Sequence, residues 1–385
     1  MKWIHIGDVH IGKYVHEFSM LKDQEYILNQ IITIAEKEKA DGIIIAGDVY
    51  DRSIPPAEAV SVLDSFLTKL IEKHIKVCMI SGNHDSPERI GFAGEILDKS
   101  GLYIANTAKN GIKKVCFDDE FGAVNIYLLP FARPAVMKYW FGEENGKEMN
   151  YEACIKKMIE NCEINQNERN ILVTHHFVIK GAEIPLCSDS EQSVFVGGTE
   201  QVDGEIFDCF DYVALGHIHR PQKVGRDTMR YCGSPLKYSF SEAGHEKSVT
   251  VVELKEKGDL VIKKVPLKPL HDMRIIKGKL KDLLAEDVVA LADCNDYIQA
   301  VLTDEEVLFE PMDKLRSVYP NIMQMVKKTN TERKNLRSEC FAKSEKKSSM
   351  ELYKEFYRIV TEQELDERRE AILTKIIQNV AEEEL

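Results

Sequence analysis

Five short polar motifs, each set just after an apolar run, hold most of the metal-ligating chemistry of this 385-residue chain. They are Asp8-Val9-His10, Gly47-Asp48-Val49-Tyr50-Asp51, Gly82-Asn83-His84-Asp85, His175-His176 and Gly216-His217-Ile218-His219. Asp8 and Asp48 offer carboxylates, Asn83 a neutral carbonyl oxygen, and His10, His175, His217 and His219 ring nitrogens. Mixed N/O ligation with few carboxylates suits Mn, Fe or Zn better than Ca or an all-oxygen Mg site. Asp48 has two oxygens, so it can bridge two ions and set their spacing. In Asp8-Val9-His10, alternate residues at a strand end point the same way and can face one ion. His217 and His219 alternate in turn and could reach different ions if the turn between them twists. The glycines ahead of Asp8, Asp48, Asn83 and His217 suit sharp turns and close backbone approach. A lone histidine after a strand is ordinarily a hydrogen-bonded core or surface residue, and a lone Gly-Asp is a turn. The weight lies in five such elements together.

One further stretch resembles a phosphate-binding loop. Gly7 to Lys13 nearly spells GxxxxGK after a strand, but Tyr14 stands where the Mg²⁺-binding Ser or Thr belongs. Asp8 would also put negative charge inside a phosphate cradle, so a nucleotide-binding loop is rejected here.

The runs preceding the motifs, at 3–6, 43–46, 77–80, 171–173 and 212–215, are short and continuously apolar, as buried strands are. If they share one sheet, the motifs gather at one of its edges, where open α/β sheets place ligand sites. Segments 24–39 and 58–73 have helical spacing, the second through Val60, Leu63, Leu67 and Leu70. Strands alternating with helices predict a parallel or mixed sheet flanked by helices. Beyond Gly101 the strands 115–117, 124–129, 229–232, 249–254 and 260–265 predict a second sheet packed on the first. The fold class is therefore α/β, more finely α+β, for a first domain over 1–268. Pro266-Leu267-Lys268-Pro269 marks the boundary of a small α/β unit at 269–330, with strands at 273–278, 297–303 and 322–328 and helices at 281–286 and 311–318. Its size of about sixty residues implies that it leans on the first domain. A polar linker follows at 331–347. The segment 348–385 carries two capping-box patterns, Ser348-Ser349-Met350-Glu351 and Thr361-Glu362-Gln363-Glu364, which predict a helix pair. Its stripes, Leu352, Phe356 and Ile359, then Leu365, Ile372, Ile376 and Val380, must be buried by self-packing, by docking on the same chain, or by a partner's helix.

Composition excludes several classes. No apolar stretch reaches the roughly 18–20 residues needed to span a bilayer, so no membrane association is expected. The first strand begins at once after Met1, which leaves no room for a signal peptide and predicts a cytoplasmic protein. Nine cysteines without a CxxC pair read as incidental thiols. The net charge of −13 runs against nucleic acid at first sight. Much of it, however, lies in the acidic C-terminal segment, and two divalent cations at a site with two carboxylates would leave a local charge near about +2, attractive to phosphate.

The ordered set DxH, GDxxD, GNHD, strand-end His and GHxH resembles the calcineurin-like metallophosphoesterase superfamily. Ser81-Gly82-Asn83-His84-Asp85-Ser86-Pro87-Glu88-Arg89, the run from Phe210 to Gln222 and the run from Tyr231 to Glu242 resemble, more narrowly, the SbcD nucleases, as do the length and the C-terminal additions. The resemblance implies a two-sheet sandwich flanked by helices with a small capping, DNA-contacting domain. It implies one ion on Asp8, His10, Asp48 and His219, and another on Asp48, Asn83, His175 and His217, with His84 as the catalytic histidine. His175 stands where the family ligand is expected; His176 should face the other way, as a supporting or structural residue. Asp51 and Asp85 read as orienters of neighbouring groups. Arg52, Arg89, Arg220 and Lys237 are candidate phosphate contacts, with solvated surface charge an equal reading for each. Two divalent ions are implied, Mn²⁺ preferred, with Fe²⁺, Zn²⁺ and Mg²⁺ as alternatives. The implied activity is 3′→5′ exonuclease action on duplex DNA ends and endonuclease action on single-stranded or hairpin DNA, in repair and recombination. The implied partners are an SbcC ATPase, bound by the C-terminal helices, and a second copy of the chain, paired through helices after GDxxD and GNHD. The rival reading is a metallophosphoesterase acting on small phosphodiesters or phosphoproteins; a non-catalytic DNA-binding scaffold is a third.

Overall fold

The computed structural model describes residues 1–141, 143–144, 147–191 and 201–327, with isolated positions 354, 357, 369, 370 and 374 beyond them. Apart from those positions, the expected linker and helical segment at 331–385 lie outside the described residues.

Two six-stranded sheets form the main body. The first contains β1 (Lys2–Ile6), β2 (Gly42–Ala46), β3 (Lys76–Ile80) and β4 (Leu102–Ala105). The second contains β5 (Lys113–Asp119), β6 (Gly122–Leu129), β7 (Arg169–Thr174), β8 (Tyr212–Leu215), β9 (Gln222–Val224) and β10 (Arg226–Tyr231). β11 (Ser248–Leu254) and β12 (Leu260–Pro266) return to complete the first. The strand orders are β12-β11-β1-β2-β3-β4 and β9-β10-β8-β7-β6-β5. Strands β1 to β4 run parallel, as do β6, β7, β8 and β10, and antiparallel strands close the edges.

The motif-bearing strands are thus divided, three in the first sheet and two in the second, rather than sharing one sheet. Their continuous apolar runs have a physical reason: both faces are buried. Trp3, Ile44, Cys78 and Ile80 meet Ile126, Leu128, Ile171, Val173 and Ala214 between the sheets. On the outer face of the first sheet, Ile4, Ile6, Ile43, Ile45, Val77 and Met79 share a core with α1 (Leu21–Glu38) and α2 (Ala57–Glu72). On the outer face of the second, Leu172, Val213 and Leu215 share a core with Met137 of α3 (Pro134–Phe141) and with α4 (Tyr151–Glu160). These two helices were not anticipated, because the strand-rich stretch after Gly101 masks them. The expected stripe on α2 is partly wrong: Ala59, Leu63, Phe66 and Leu70 face the core, whereas Val60 is 45% exposed.

At the edge away from the motifs, polar groups tie the two sheets together. Arg169 forks onto Asp119 and donates to Lys255 O at 2.8 Å, and the N-terminal ammonium also reaches Asp119 at 2.6 Å. The last unit is a three-stranded parallel sheet of β13 (Met273–Gly278), β14 (Tyr297–Leu302) and β15 (Ile322–Lys327). Leu280, Leu283, Ile298, Leu302, Leu315 and Ile322 give it a core of its own. The expected helix at 281–286 is broken into Leu280–Leu283 and Glu286–Val289. Buried Asp23 of α1 anchors this unit by accepting from His271 N (3.1 Å), His271 Nδ1 (3.0 Å) and the Tyr297 hydroxyl (2.8 Å).

No helix among the described residues is long and apolar enough to cross a membrane.

Candidate metal centre

The C-terminal ends of β1, β2, β3, β7 and β8 open on the same seam between the sheets, and their motifs converge there. The convergence depends on backbone that most residues avoid. Asp8, His10, Asp48 and His217 all have positive φ, at 51°, 48°, 49° and 98°. Left-handed backbone is uncommon for residues other than glycine and clusters at functional sites. Asp8 and His10 therefore face one another's neighbourhood through loop geometry, and not through the simple strand alternation expected from sequence. Glycine is required beside them. A Cβ on Gly216 would lie 1.9 Å from Ala46 O, and one on Gly82 would lie 2.1 Å from Asp48 Oδ1.

Asp48 Oδ2 sits at the centre. It lies 3.3 Å from His175 Nε2, 3.6 Å from His10 Nε2 and 4.0 Å from His84 Nε2. On one side, His10 Nε2 and His219 Nε2 are 3.1 Å apart, and Asp8, His10 and His219 form one cluster of potential ligand atoms. On the other, Asn83 Oδ1 lies 3.0 Å from His175 Nε2 and 3.1 Å from His217 Nδ1. His217 and His219 do reach opposite sides of Asp48. Asp8 Oδ1 accepts from His217 N at 2.7 Å, whereas its buried Oδ2 has no hydrogen-bond partner.

Tautomers sharpen the picture. His175 Nδ1 is 2.7 Å from Ala46 O, and a carbonyl only accepts, so Nδ1 carries a proton. Against burial, the Asp48 carboxylate holds this ring up to about 9 in the metal-free protein, so Nε2 is protonated too and offers its lone pair beside Asp48 and Asn83 once an ion takes the proton's place. His219 Nδ1 faces the Glu242 carboxylate at 3.2 Å, which likewise places a proton on Nδ1 and leaves Nε2 as the nitrogen that would meet an ion on the His10 side. Ring nitrogens and oxygens converging in this way, with the buried Asp8 Oδ2 left without a partner, have the chemistry of a ligand set. Two ligands held about 2.1 Å from one ion at a right angle stand about 3 Å apart. The His10–His219 and Asn83–His175 spacings match that edge. Burial pushes the His217 ring down to about 3, so it is neutral and able to ligate.

Supporting residues fall into place around this set. Asp85 Oδ1 accepts from Tyr50 N (2.9 Å), and Oδ2 accepts from Val49 N (3.1 Å) and Gly82 N (2.9 Å), clamping the Asp48 loop to the Asn83 loop. Burial, then the neighbouring Asp48, push its carboxyl up to about 6. Asp51 accepts from Lys13 Nζ at 2.5 Å, and its carbonyl faces His84 Nδ1 at 2.9 Å. Lys13, the lysine of the false phosphate loop, is thereby committed to a carboxylate. His84 Nδ1 must be protonated to donate to that carbonyl, which leaves Nε2 facing the centre; its side chain is 37% exposed, the most open of the group around Asp48 Oδ2. His176 is turned elsewhere, its ring near Phe131 and Tyr151 and its Nδ1 on the Thr174 hydroxyl. Burial pushes it down to about 3, a neutral core histidine.

Arg89 and Arg220 are exposed, and Arg52 is too, lying 3.7 Å from Asp51. Lys237 is different. Its ammonium binds Asp272 at 2.8 Å and Ala243 O at 2.8 Å, so it joins the main body to the small unit and is not presented to solvent. Sequence reasoning also passed over several residues. Gln24 donates to His10 O at 2.7 Å and accepts from Gly12 N at 2.9 Å, and the Tyr238 hydroxyl donates to Val9 O. Glu191, Glu242 and Lys247 are buried behind His219. Glu242 closes the Tyr231–Glu242 run and had a visible signal; Glu191 and Lys247 had none.

Residues 1–221 match the calcineurin-like phosphoesterase family, and residues 269–361 match the Type 5 capsule protein repressor C-terminal domain. Fold and family match together make this a calcineurin-like phosphoesterase, a metal-dependent hydrolase. Over 372 residues, 95% of either chain, the sequence is 34% identical to the SbcD subunit of the SbcCD nuclease of Staphylococcus epidermidis. The chain belongs to the SbcD family of nuclease subunits. Among solved structures, TT1561 of Thermus thermophilus is 12% identical, covering 68% of this chain and 98% of that one with a TM-score of 0.41. A dimetal phosphatase from Danio rerio is 11% identical, covering 70% and 98%, with a TM-score of 0.41.

Proposed function

We propose that this chain hydrolyses DNA phosphodiesters at two divalent ions, as the nuclease component of a complex with an SbcC ATPase. The observation that carries the reading is Asp48 Oδ2 at the meeting point of two ligand groups, with His84 open beside it. Asp8, His10, Asp48 and His219 would hold one ion; Asp48, Asn83, His175 and His217 the other. When bound, such a pair supplies a water of lowered pKa and positive charge opposite the non-bridging phosphate oxygens. The donor set suits Mn²⁺, Fe²⁺ or Zn²⁺; Mn²⁺ is preferred on the family resemblance, with Mg²⁺ a further alternative.

The chain's own residues do the rest. Asp85 and Gln24 fix the loops that carry Asp48 and His10. His84, oriented by the Asp51 carbonyl, directs Nε2 to the open side, where as imidazolium it donates a proton toward a phosphoryl oxygen or the leaving 3′-oxygen. Exposed Arg52, Arg89 and Arg220 contribute backbone contacts, which carry affinity without sequence preference and weaken with salt. Residues 1–268 form the nuclease domain and 269–330 a capping domain fixed to it through Asp23 and Lys237. Incubation of the protein with an end-labelled duplex and Mn²⁺ is expected to release nucleotides from 3′ ends, and to open hairpin DNA. Excess EDTA should remove both activities. Turnover confined to small phosphoesters or phosphoproteins would sink the reading.

The surface after GDxxD and GNHD supports pairing of two copies. Phe92 is 80% exposed and Ile96 71%, and Ile54 and Val60 are exposed as well. Large apolar side chains left this exposed, when they form a contiguous patch, mark interaction surfaces. In analytical ultracentrifugation the wild-type chain should sediment as a dimer and a Phe92→Asp/Ile96→Asp variant as a monomer; an unchanged dimer would place the interface elsewhere. The segment 348–385 is assigned to the ATPase. A chain ending at Lys347 should keep its metal binding and lose co-elution with SbcC, whereas retained co-elution would refute that assignment.

A further inference from the structure

His219 is held from behind by a buried charged network that the reaction does not use directly. Its Nδ1 lies 3.0 Å from Ser190 Oγ, 3.2 Å from Glu242 Oε1 and 3.7 Å from Glu191 Oε1. Its backbone N–H donates to Glu191, and its carbonyl accepts from Lys247 Nζ at 2.9 Å. Lys247 Nζ also reaches Glu242 Oε2 at 2.6 Å and Ser234 Oγ at 2.8 Å, so all three ammonium hydrogens are placed. Glu242 is 0% exposed and Lys247 6%.

A pair buried so deeply is weak evidence of a stabilising role. Desolvating both ions is costly, and apolar side chains of similar volume commonly serve stability as well or better. Something other than stability must account for it. Glu242 offers a charged acceptor to the one ring nitrogen of His219 that faces away from Asp8 and His10. We propose that Glu242, itself fixed by Lys247, is a positioning residue for His219. It accepts the Nδ1–H directly and also orients Ser190, whose hydroxyl donates to Glu242 Oε1 at 2.8 Å and so turns a lone pair to the same Nδ1–H. It thereby keeps Nε2 as the nitrogen that faces the Asp8–His10 cluster and strengthens it as a ligand, while Glu191 fixes the backbone from which the ring projects. The inference rests on the reading of His219 as a ligand. Removal of an outer partner of this kind typically weakens metal affinity 10–100-fold.

The test is calorimetric titration of the full-length metal-free protein with Mn²⁺. The wild-type chain should bind two ions. Glu242→Leu/Lys247→Met removes acceptor and ammonium together, so no charge is stranded in the core. This variant should fold, and should bind one of the two ions about 10–100-fold more weakly with the other unchanged. Glu242→Gln/Lys247→Met restores an acceptor for Nδ1 and should recover most of that loss. Wild-type affinity for both ions in the Leu/Met variant overturns the inference and leaves the ligand reading standing. Equal weakening of both ions also overturns it. Fewer than two ions on the wild-type chain would instead overturn the ligand reading. A measurement on the unaltered metal-free protein guards against a variant that fails to fold. Long-range ¹H–¹⁵N imidazole spectra, followed to a pH at which the His219 ring is neutral, should show it as the Nδ1–H tautomer, and an Nε2–H tautomer refutes the proposal.

Discussion

Asp48→Asn is expected to reduce phosphodiester hydrolysis by on the order of 10⁴-fold, about 5.5 kcal/mol of transition-state stabilisation, with the fold intact. The argument is geometric. Asp48 Oδ1 already accepts from His84 N at 2.9 Å, and an amide oxygen can keep that bond. What asparagine removes is the charge on Oδ2, the atom within 4.0 Å of His10, His175 and His84. In the metal-free wild-type protein those histidines are the neighbours that hold the Asp48 carboxyl well below its ordinary range against the opposing effect of burial. Loss of a shared ligand should disturb both ions, so calorimetry with Mn²⁺ should show both sites weakened, while circular dichroism of the metal-free chain stays near wild type and its melting temperature falls with the loss of the Asp48–His175 attraction. Full turnover by Asp48→Asn, or weakening of a single ion, would show that Asp48 is not the bridge.

His84→Gln should have the second-largest effect, of a different kind. In the proposed reaction His84 moves a proton, so kcat should fall about 10²–10⁴-fold, the range for a positioned acid or base. KM for DNA and both Mn²⁺ affinities should change little, because the Asp48, Asn83 and His175 contacts do not pass through its ring. Glutamine can donate to the Asp51 carbonyl as Nδ1 does, which keeps the loop in place. A His84→Gln enzyme that loses an ion, with kcat at saturating Mn²⁺ near wild type, would make His84 a ligand.

The two outcomes separate binding of the ions from proton transfer, a distinction that residue types alone do not make. Asp48 and His84 lie in similar motifs after similar strands. The positive φ of Asp48 turns its carboxylate inward to full burial, while His84 stays on the open side. The same contrast divides His175 from His176, adjacent in sequence: one faces Asp48 and Asn83, the other the Phe131 and Tyr151 rings.

Local chemistry determined much of this protein. Continuous apolar runs mark strands buried on both faces, a property of each segment alone, and the polar residues that follow them carry their ligand types wherever the chain goes. The strands and the residue types that follow them were legible for that reason. Tertiary structure decided what depends on distant partners. It divided the motif strands between two sheets. It converged Asp8 and His10 through left-handed backbone, and it drew Lys237 into the junction with the small unit. It also placed Glu191, Glu242 and Lys247 behind His219. Burial of a Lys–Glu pair leaves no periodic trace in a sequence, because its favourable energy comes from contacts made only when remote segments close around it.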